Sequence, residues 1–152
     1  HPGAHPVTPA VAEVQAEEDA LQMNAPTGYT GLAPKVARIL ADFRAFLAEA
    51  KAEGKTVAGY GAAAKGNTFL NVAGIGPQDG IAFVVDRNPS KQNTLLPGSH
   101  IPVLSPDAIA DRRPDYLVIL PWNIAPEVMG QQAQIRSWGG RFVTAIPTLQ
   151  IS

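Results

Sequence analysis

Lys55–Thr68 reads KTVAGYGAAAKGNT, and the fold of the chain turns on this stretch. A short apolar run, Thr56-Val57-Ala58, stops at Gly59-Tyr60-Gly61, and an Ala-rich segment with Lys65, Gly66, Asn67 and Thr68 follows. That is a strand, a glycine turn and a helix start. Gly59-x-Gly61-x-x-Ala64 fits the G-x-G-x-x-G/A spacing, in which small residues let backbone N–H groups approach a phosphate. A helix beginning there aims its unpaired N–H groups and the positive end of its dipole at that anion. The same glycines would also serve a plain tight turn under a close-packed helix. Context favours the phosphate loop: a strand before it, a helix after it, and Asp86 closing the next apolar run.

Upstream, Leu32–Glu53 carries Val36, Ile39, Leu40, Phe43, Leu47 and Ala50 at three- and four-residue steps, with charges elsewhere. Gly54 follows where a C-terminal cap belongs, so an amphipathic helix is expected. Before it, His1–Pro9 reads as an extended Pro-rich linker, Pro9–Met23 as a helix with a thin apolar face, and Asn24–Gly31 as a turn. Downstream, a helix over about Ala63–Ala73 is expected to bury Phe69, Leu70 and Val72. Ile81–Val85 is a strand buried on both faces, and Ser90–His100 a polar loop. Ile101–Leu104 is a brief strand, with a short helix after it from Ser105-Pro106-Asp107 to about Ala110. Tyr116–Leu120 is a strand ended by Pro121-Trp122-Asn123. Ile124–Trp138 reads as one helix with Ile124, Val128, Met129 and Ile135 on one side, and Arg141–Ile146 as the last strand before a tail. Apolar strands joined by helical crossovers predict an α/β fold: a Rossmann-like, doubly wound, mostly parallel sheet flanked by helices, with the Lys55–Tyr60 strand central and an N-terminal helical extension.

The totals agree with one such domain. The chain has 152 residues, 45% hydrophobic and 16% charged, with a formal net charge of −1. That balance suggests no nucleic-acid or membrane-surface partner held by bulk charge. No run has the length of a membrane span, and a cytoplasmic location is expected. There is no cysteine, which excludes disulfides and thiolate metal sites.

In a doubly wound sheet, ligands bind beyond the carboxyl ends of the strands. Four loops are expected there: Gly59–Thr68, Asp86–His100, Pro121–Asn123 and Pro147 onward. Lys65 and Thr68 would supplement backbone N–H groups on a phosphate, or else Lys65 is a solvated lysine and Asn67 and Thr68 first-turn caps. Asp86 stands where an acidic residue hydrogen-bonds a ribose diol, or where an Asp starts a turn on its own backbone. Arg87, Lys91 and His100 make the rim cationic. Trp122 and Asn123 offer an aromatic face and an amide, or Trp122 is lid packing. Gly59–Thr68 lacks Walker spacing, since Lys65 precedes Gly66. No Ser/His/Asp arrangement or His/carboxylate cluster with metal spacing is present, so no catalytic or metal residue is assigned.

VAGYGAAAKGNTFLN at Val57–Asn71, FVVDRNPSKQNTLLPGSHIPVLSP at Phe83–Pro106, PDYLVILPWN at Pro114–Asn123 and GGRFVTAIP at Gly139–Pro147 resemble the C-terminal domain of SAM-dependent sugar C-methyltransferases. The resemblance runs from about His5 to Pro147. It implies a division into 1–31, linker and helical extension, and 32–152, the Rossmann-like domain. In that family a Cys-rich zinc domain and a class I methyltransferase domain come first. The leader HPVTPAVAEVQAEE resembles the segment leaving the methyltransferase domain, which implies a chain cut ahead of His1. SAM and the general base belong to the middle domain, so no cofactor is expected on this chain, and no activity from it alone. The resemblance implies a domain that closes over a nucleotide-diphosphate sugar, a dTDP-sugar, beside the enzyme's own methyltransferase domain. Gly59, Gly61, Lys65, Asn67, Asp86, Asn88, Lys91, Trp122 and Asn123 are the positions that match that substrate-binding wall. Two alternatives stand beside it: a stand-alone module with NAD on Gly59–Ala64 and Asp86, and a structural domain that binds nothing.

Overall fold

The computed structural model describes Gly3 and residues 6–152, in two compact units, His1–Arg38 and Ile39–Ser152. The expected linker falls partly on His1, Pro2, Ala4 and His5, outside the described residues. In the first unit, helix α1 (Pro9–Ala20) starts on a proline, whose missing N–H costs nothing in a first turn. A 3-10 turn over Pro26–Tyr29 follows, then the first turns of α2 (Leu32–Ala52). No residue of α1 is buried.

The second unit begins within α2. Its inward stripe is Phe43, Phe46, Leu47 and Ala50, with Phe43 wholly buried. The helix stops as Gly54 predicts. That glycine has φ +69°, its N–H donates to Lys51 O at 3.1 Å, and Lys55 N–H donates to Ala50 O at 2.8 Å. These bonds satisfy carbonyls the helix leaves over, and the left-handed backbone favours a residue without Cβ.

Strands β1 (Val57–Tyr60), β2 (Ile81–Val85), β3 (Thr94–Leu95), β4 (Pro102–Leu104), β5 (Tyr116–Ile119), β6 (Arg141–Thr144) and β7 (Gln150–Ile151) form one seven-stranded sheet in the order β3-β4-β2-β1-β5-β6-β7. β1 is central, as its apolar run predicts. From β4 to β6 the pairing is parallel, and β3 and β7 add antiparallel edges. Both edge strands differ from expectation. β3 lies inside the supposed Ser90–His100 loop, and the supposed tail folds back as β7. A two-residue strand is too short to show a period, so only its pairing partner reveals it.

Helices cover both faces. Val57, Val84, Val118 and Val143 share one core with α2 and α3 (Ala64–Val72). Ala58, Tyr60, Phe83, Leu117 and Phe142 share another with α4 (Asp107–Arg112) and α5 (Ala125–Gln131). A register shift between Val57 and Ala58 sets Ile81 and Phe83 on opposite faces and leaves Ala82 exposed. Val72 corrects an expectation: Gly66, Phe69, Leu70 and Ala73 make the inward stripe of α3, and Val72 lies off it at 55% exposure. The expected Ile124–Trp138 helix is three pieces, a 3-10 turn over Trp122–Ile124, then α5, then a 3-10 stretch over Ala133–Trp138. Val128 and Ile135 are buried, whereas Ile124 is exposed in the leading turn. No described helix is long and apolar enough to cross a membrane.

Candidate functional site

After β1 the chain turns left-handed at Gly61, φ +91°, and a Cβ there would lie 2.7 Å from Pro121 Cδ, behind β5. The loops that follow the central strand and its neighbour therefore touch, and only glycine allows it. A Cβ at Gly59 would lie 2.8 Å from Val84 Cγ2. Close approach of helix to sheet belongs to Gly66, where a Cβ would lie 2.7 Å from Leu120 Cβ. The spacing reading gave the third small position to Ala64, which is exposed as the first residue of α3. Close packing under α3 is thus built from Gly66, two residues further on.

Beyond β1 and β5, which flank the point where strand order changes direction, three expected residues come together. Lys65 Nζ donates to Asn123 Oδ1 and lies 5.0 Å from the centre of the Trp122 ring. Trp122 also meets Phe69 edge-on, at 6.5 Å between ring centres, so the indole both packs on the core and meets Lys65. An ammonium over an indole face is attracted by about 0.5–1 kcal/mol where solvent reaches it.

Asp86, Asn88 and Lys91 meet as a second group. Asp86 Oδ2 accepts from Ala62 N–H at 2.8 Å, and Asp86 Oδ1 from Asn88 N–H at 2.8 Å. Lys91 Nζ donates to Ala62 O at 2.9 Å and lies 3.3 Å from Asp86 Oδ2. Gln92 Nε2 donates to Asp86 O at 2.9 Å. Asn88 Oδ1 accepts from Ser90 N–H and Ser90 Oγ at 3.0 and 2.9 Å, starting the 3-10 turn over Pro89–Lys91. Each carboxylate oxygen of Asp86 is engaged by protein: Oδ1 makes the local turn bond the sequence offered as its alternative, and Oδ2 makes a long-range bond to the loop after β1.

Two other polar groups point elsewhere. Thr68 Oγ1 donates to Ala64 O at 3.1 Å, within its own helix. Asn67 Oδ1 is buried without a hydrogen-bond partner. The backbone carbonyl of Asn67 accepts from Asn71 Nδ2, which also donates to Pro97 O at 2.9 Å and so ties the Pro97–His100 turn to α3. His100 is exposed, with φ +55°.

A further group brings Tyr60, Glu127 and Gln131, which were not singled out as site residues from sequence, together with Gly61 and Arg87, which were. Tyr60, Gly61, Arg87, Ile124, Glu127 and Gln131 line a cleft of about 240 Å³ on the α5 side of the same strand ends. Tyr60 Oη donates to Gln131 Oε1 at 3.2 Å, and Gln131 Nε2 to Glu127 Oε1 at 2.8 Å. Burial raises the Tyr60 phenol above its ordinary value and keeps it protonated. No local signal marks this group, because Tyr60 and Gln131 are 71 positions apart.

A mostly parallel sheet covered by helices on both faces, with a glycine turn, a helix start and polar loops at its switch point, defines a Rossmann-like domain. Residues 1–147 match the family described as the C-methyltransferase C-terminal domain, and the chain belongs to that family. It is similar to the C-methyltransferase NovU of Streptomyces niveus, 42% identical over 143 residues, which are 94% of this chain and 34% of that protein. The chain therefore spans about a third of the length of that relative.

Proposed function

We propose that this domain binds a nucleotide-diphosphate sugar, a dTDP-sugar, and holds its sugar for carbon methylation by a SAM-binding domain of the same enzyme. The observation that carries the reading is the meeting of Lys65, Trp122 and Asn123 with the Gly61 turn at the β1/β5 switch point, in a chain of the C-methyltransferase C-terminal family. In this reading Lys65 and the first-turn N–H groups of α3 meet the diphosphate, and Trp122 and Asn123 meet the sugar. Gly59 and Gly61 shape the turn, and Asp86, Asn88 and Lys91 hold it. Asn67, with its buried side-chain oxygen left without a hydrogen-bond partner, is a further wall position in this reading. The contribution to catalysis is orientation, which supplies several kcal/mol of a barrier when the reacting atoms are held in near-attack geometry. SAM and the proton-abstracting base lie outside this chain, and the chain alone is inactive.

The engagement of Asp86 favours this over the NAD reading, since a ribose diol would compete with Ala62, Asn88 and Lys91 for the same oxygens. A thermal-shift and calorimetric titration against dTDP, a dTDP-sugar, NAD and SAM tests it. Ligand at about 100 times its dissociation constant stabilises by about 2.7 kcal/mol. Stabilisation by dTDP or its sugar and none by SAM is the expected result; binding of NAD alone overturns the reading.

A further inference from the structure

We infer that the cleft between β1, β2, β5 and α5 takes the nucleoside end of the ligand, on the opposite side of the Gly61 turn from Lys65. This rests on the nucleotide-binding reading above and adds the direction in which the ligand lies.

Size comes first. Sites for whole small molecules measure roughly 300–1,000 Å³. The cleft, at about 240 Å³, falls below that range and is of a size for one ring system with its ribose, the remainder of a larger ligand lying outside it. Charge then decides which end enters. Asp86 and Glu127 line the cleft with carboxylates, which repel a diphosphate from its floor and tolerate a neutral base, and the cation of the lining, Arg87, stands exposed at the rim. Phosphates belong on the other side, where Lys65 stands. Gly61 and Ala63 line the cleft, and α3 begins at the next residue, Ala64, so one ligand can span both.

The polar groups have the form that reads a heterocycle. Gln131 accepts from Tyr60 through Oε1 and donates one Nε2 hydrogen to Glu127. A second Nε2 hydrogen and the other Glu127 oxygen remain without a hydrogen bond among the described residues. A donor beside an acceptor matches a base edge on which a carbonyl oxygen adjoins a ring N–H. Pro121, Ile124 and Val128 supply apolar walls. Arg87, exposed at the rim, makes no hydrogen bond or ion pair among the described residues, and a planar guanidinium stacks well on a base.

The test is a set of NMR titrations of this chain with the diphosphates of thymidine, uridine, adenosine and guanosine. They are repeated with Ile124→Trp, which fills the mouth from an exposed position, and with Arg87→Ala, which changes no recorded bond. For the diphosphate that binds, the amide signals of Gly61 and Arg87 and the side-chain amide of Gln131 should shift. Ile124→Trp should weaken binding by about tenfold or more, and Arg87→Ala by about threefold or more. Should Ile124→Trp fail to fold, the wild-type shifts and Arg87→Ala decide. Shifts confined to Lys65, Trp122 and Asn123, with unchanged affinity in Arg87→Ala, overturn the inference and leave the nucleotide reading standing. If none of the four diphosphates binds, both are lost.

Discussion

Asp86 and Lys91 engage opposite backbone groups of one residue. The carboxylate accepts from Ala62 N–H at 2.8 Å, the ammonium donates to Ala62 O at 2.9 Å, and the two charges lie 3.3 Å apart. Ala62 sits between the Gly61 turn and α3, so the crossover after β2 holds the loop after β1. Asp86→Ala should cost about 2–3 kcal/mol in urea unfolding, because it removes bonds to a charged acceptor and leaves Ala62 N–H unsatisfied. A double-mutant cycle with Lys91→Met should show coupling of about 0.5 kcal/mol or more, as residues in one network do. Additive losses would mean that the two act separately.

Gly66→Ala separates two opposing effects. Helix propensity alone favours alanine by about 1 kcal/mol. The new Cβ would lie 2.7 Å from Leu120 Cβ, an atom fixed close to the backbone of the strand end, so α3 must move. Overpacking costs about 1–3 kcal/mol, and net destabilisation is expected from thermal unfolding. A more stable variant would show that α3 shifts freely.

Phe43 is wholly buried, and its ring centre lies 4.9 Å from that of Phe69. Phe43→Ala should cost about 3–5 kcal/mol. A loss under about 1 kcal/mol in denaturant titration would show that α2 is not part of this core.

Acid should weaken the fold through Asp115. Hydrogen bonding from Thr56 N–H, at 2.8 Å, is the main cause that holds its carboxyl below the ordinary carboxylate range, aided by Thr56 Oγ1 and Lys55 and opposed by desolvation. With the folded value below the unfolded one, the stabilisation is complete above the usual carboxylate range and is lost as pH falls through the folded value. The fall in Tm between about pH 5 and pH 2 should be smaller for Asp115→Asn than for the wild type. Identical slopes would remove Asp115 from the acid response.

Lys65→Ala should cost no more than about 1 kcal/mol of stability, the scale of an exposed cation–π contact, and weaken nucleotide-sugar binding severalfold in calorimetry. Unchanged affinity would take Lys65 out of the proposed wall.

The β1 strand, its glycine turn and α3, the α2 helix with its Gly54 stop, and the succession of buried strands were all readable in order along the chain. Each is written in local pattern: a continuous apolar run, a helical step of three or four, a glycine where φ turns positive. The residue blocks around Val57–Asn71 and Phe83–Pro106 likewise carried the family. Three-dimensional packing alone decided the rest. That Gly66 rather than Ala64 carries the close packing depends on Leu120, the residue that follows the strand β1 pairs with. Asp86 bonds Ala62, and Tyr60 bonds Gln131, across separations that no window of sequence spans. β3 and β7 exist only because β4 and β6 lie beside them. Local backbone preference selects elements residue by residue, whereas the partner of a side chain or a short strand is set by which distant segment the fold brings within about 3 Å.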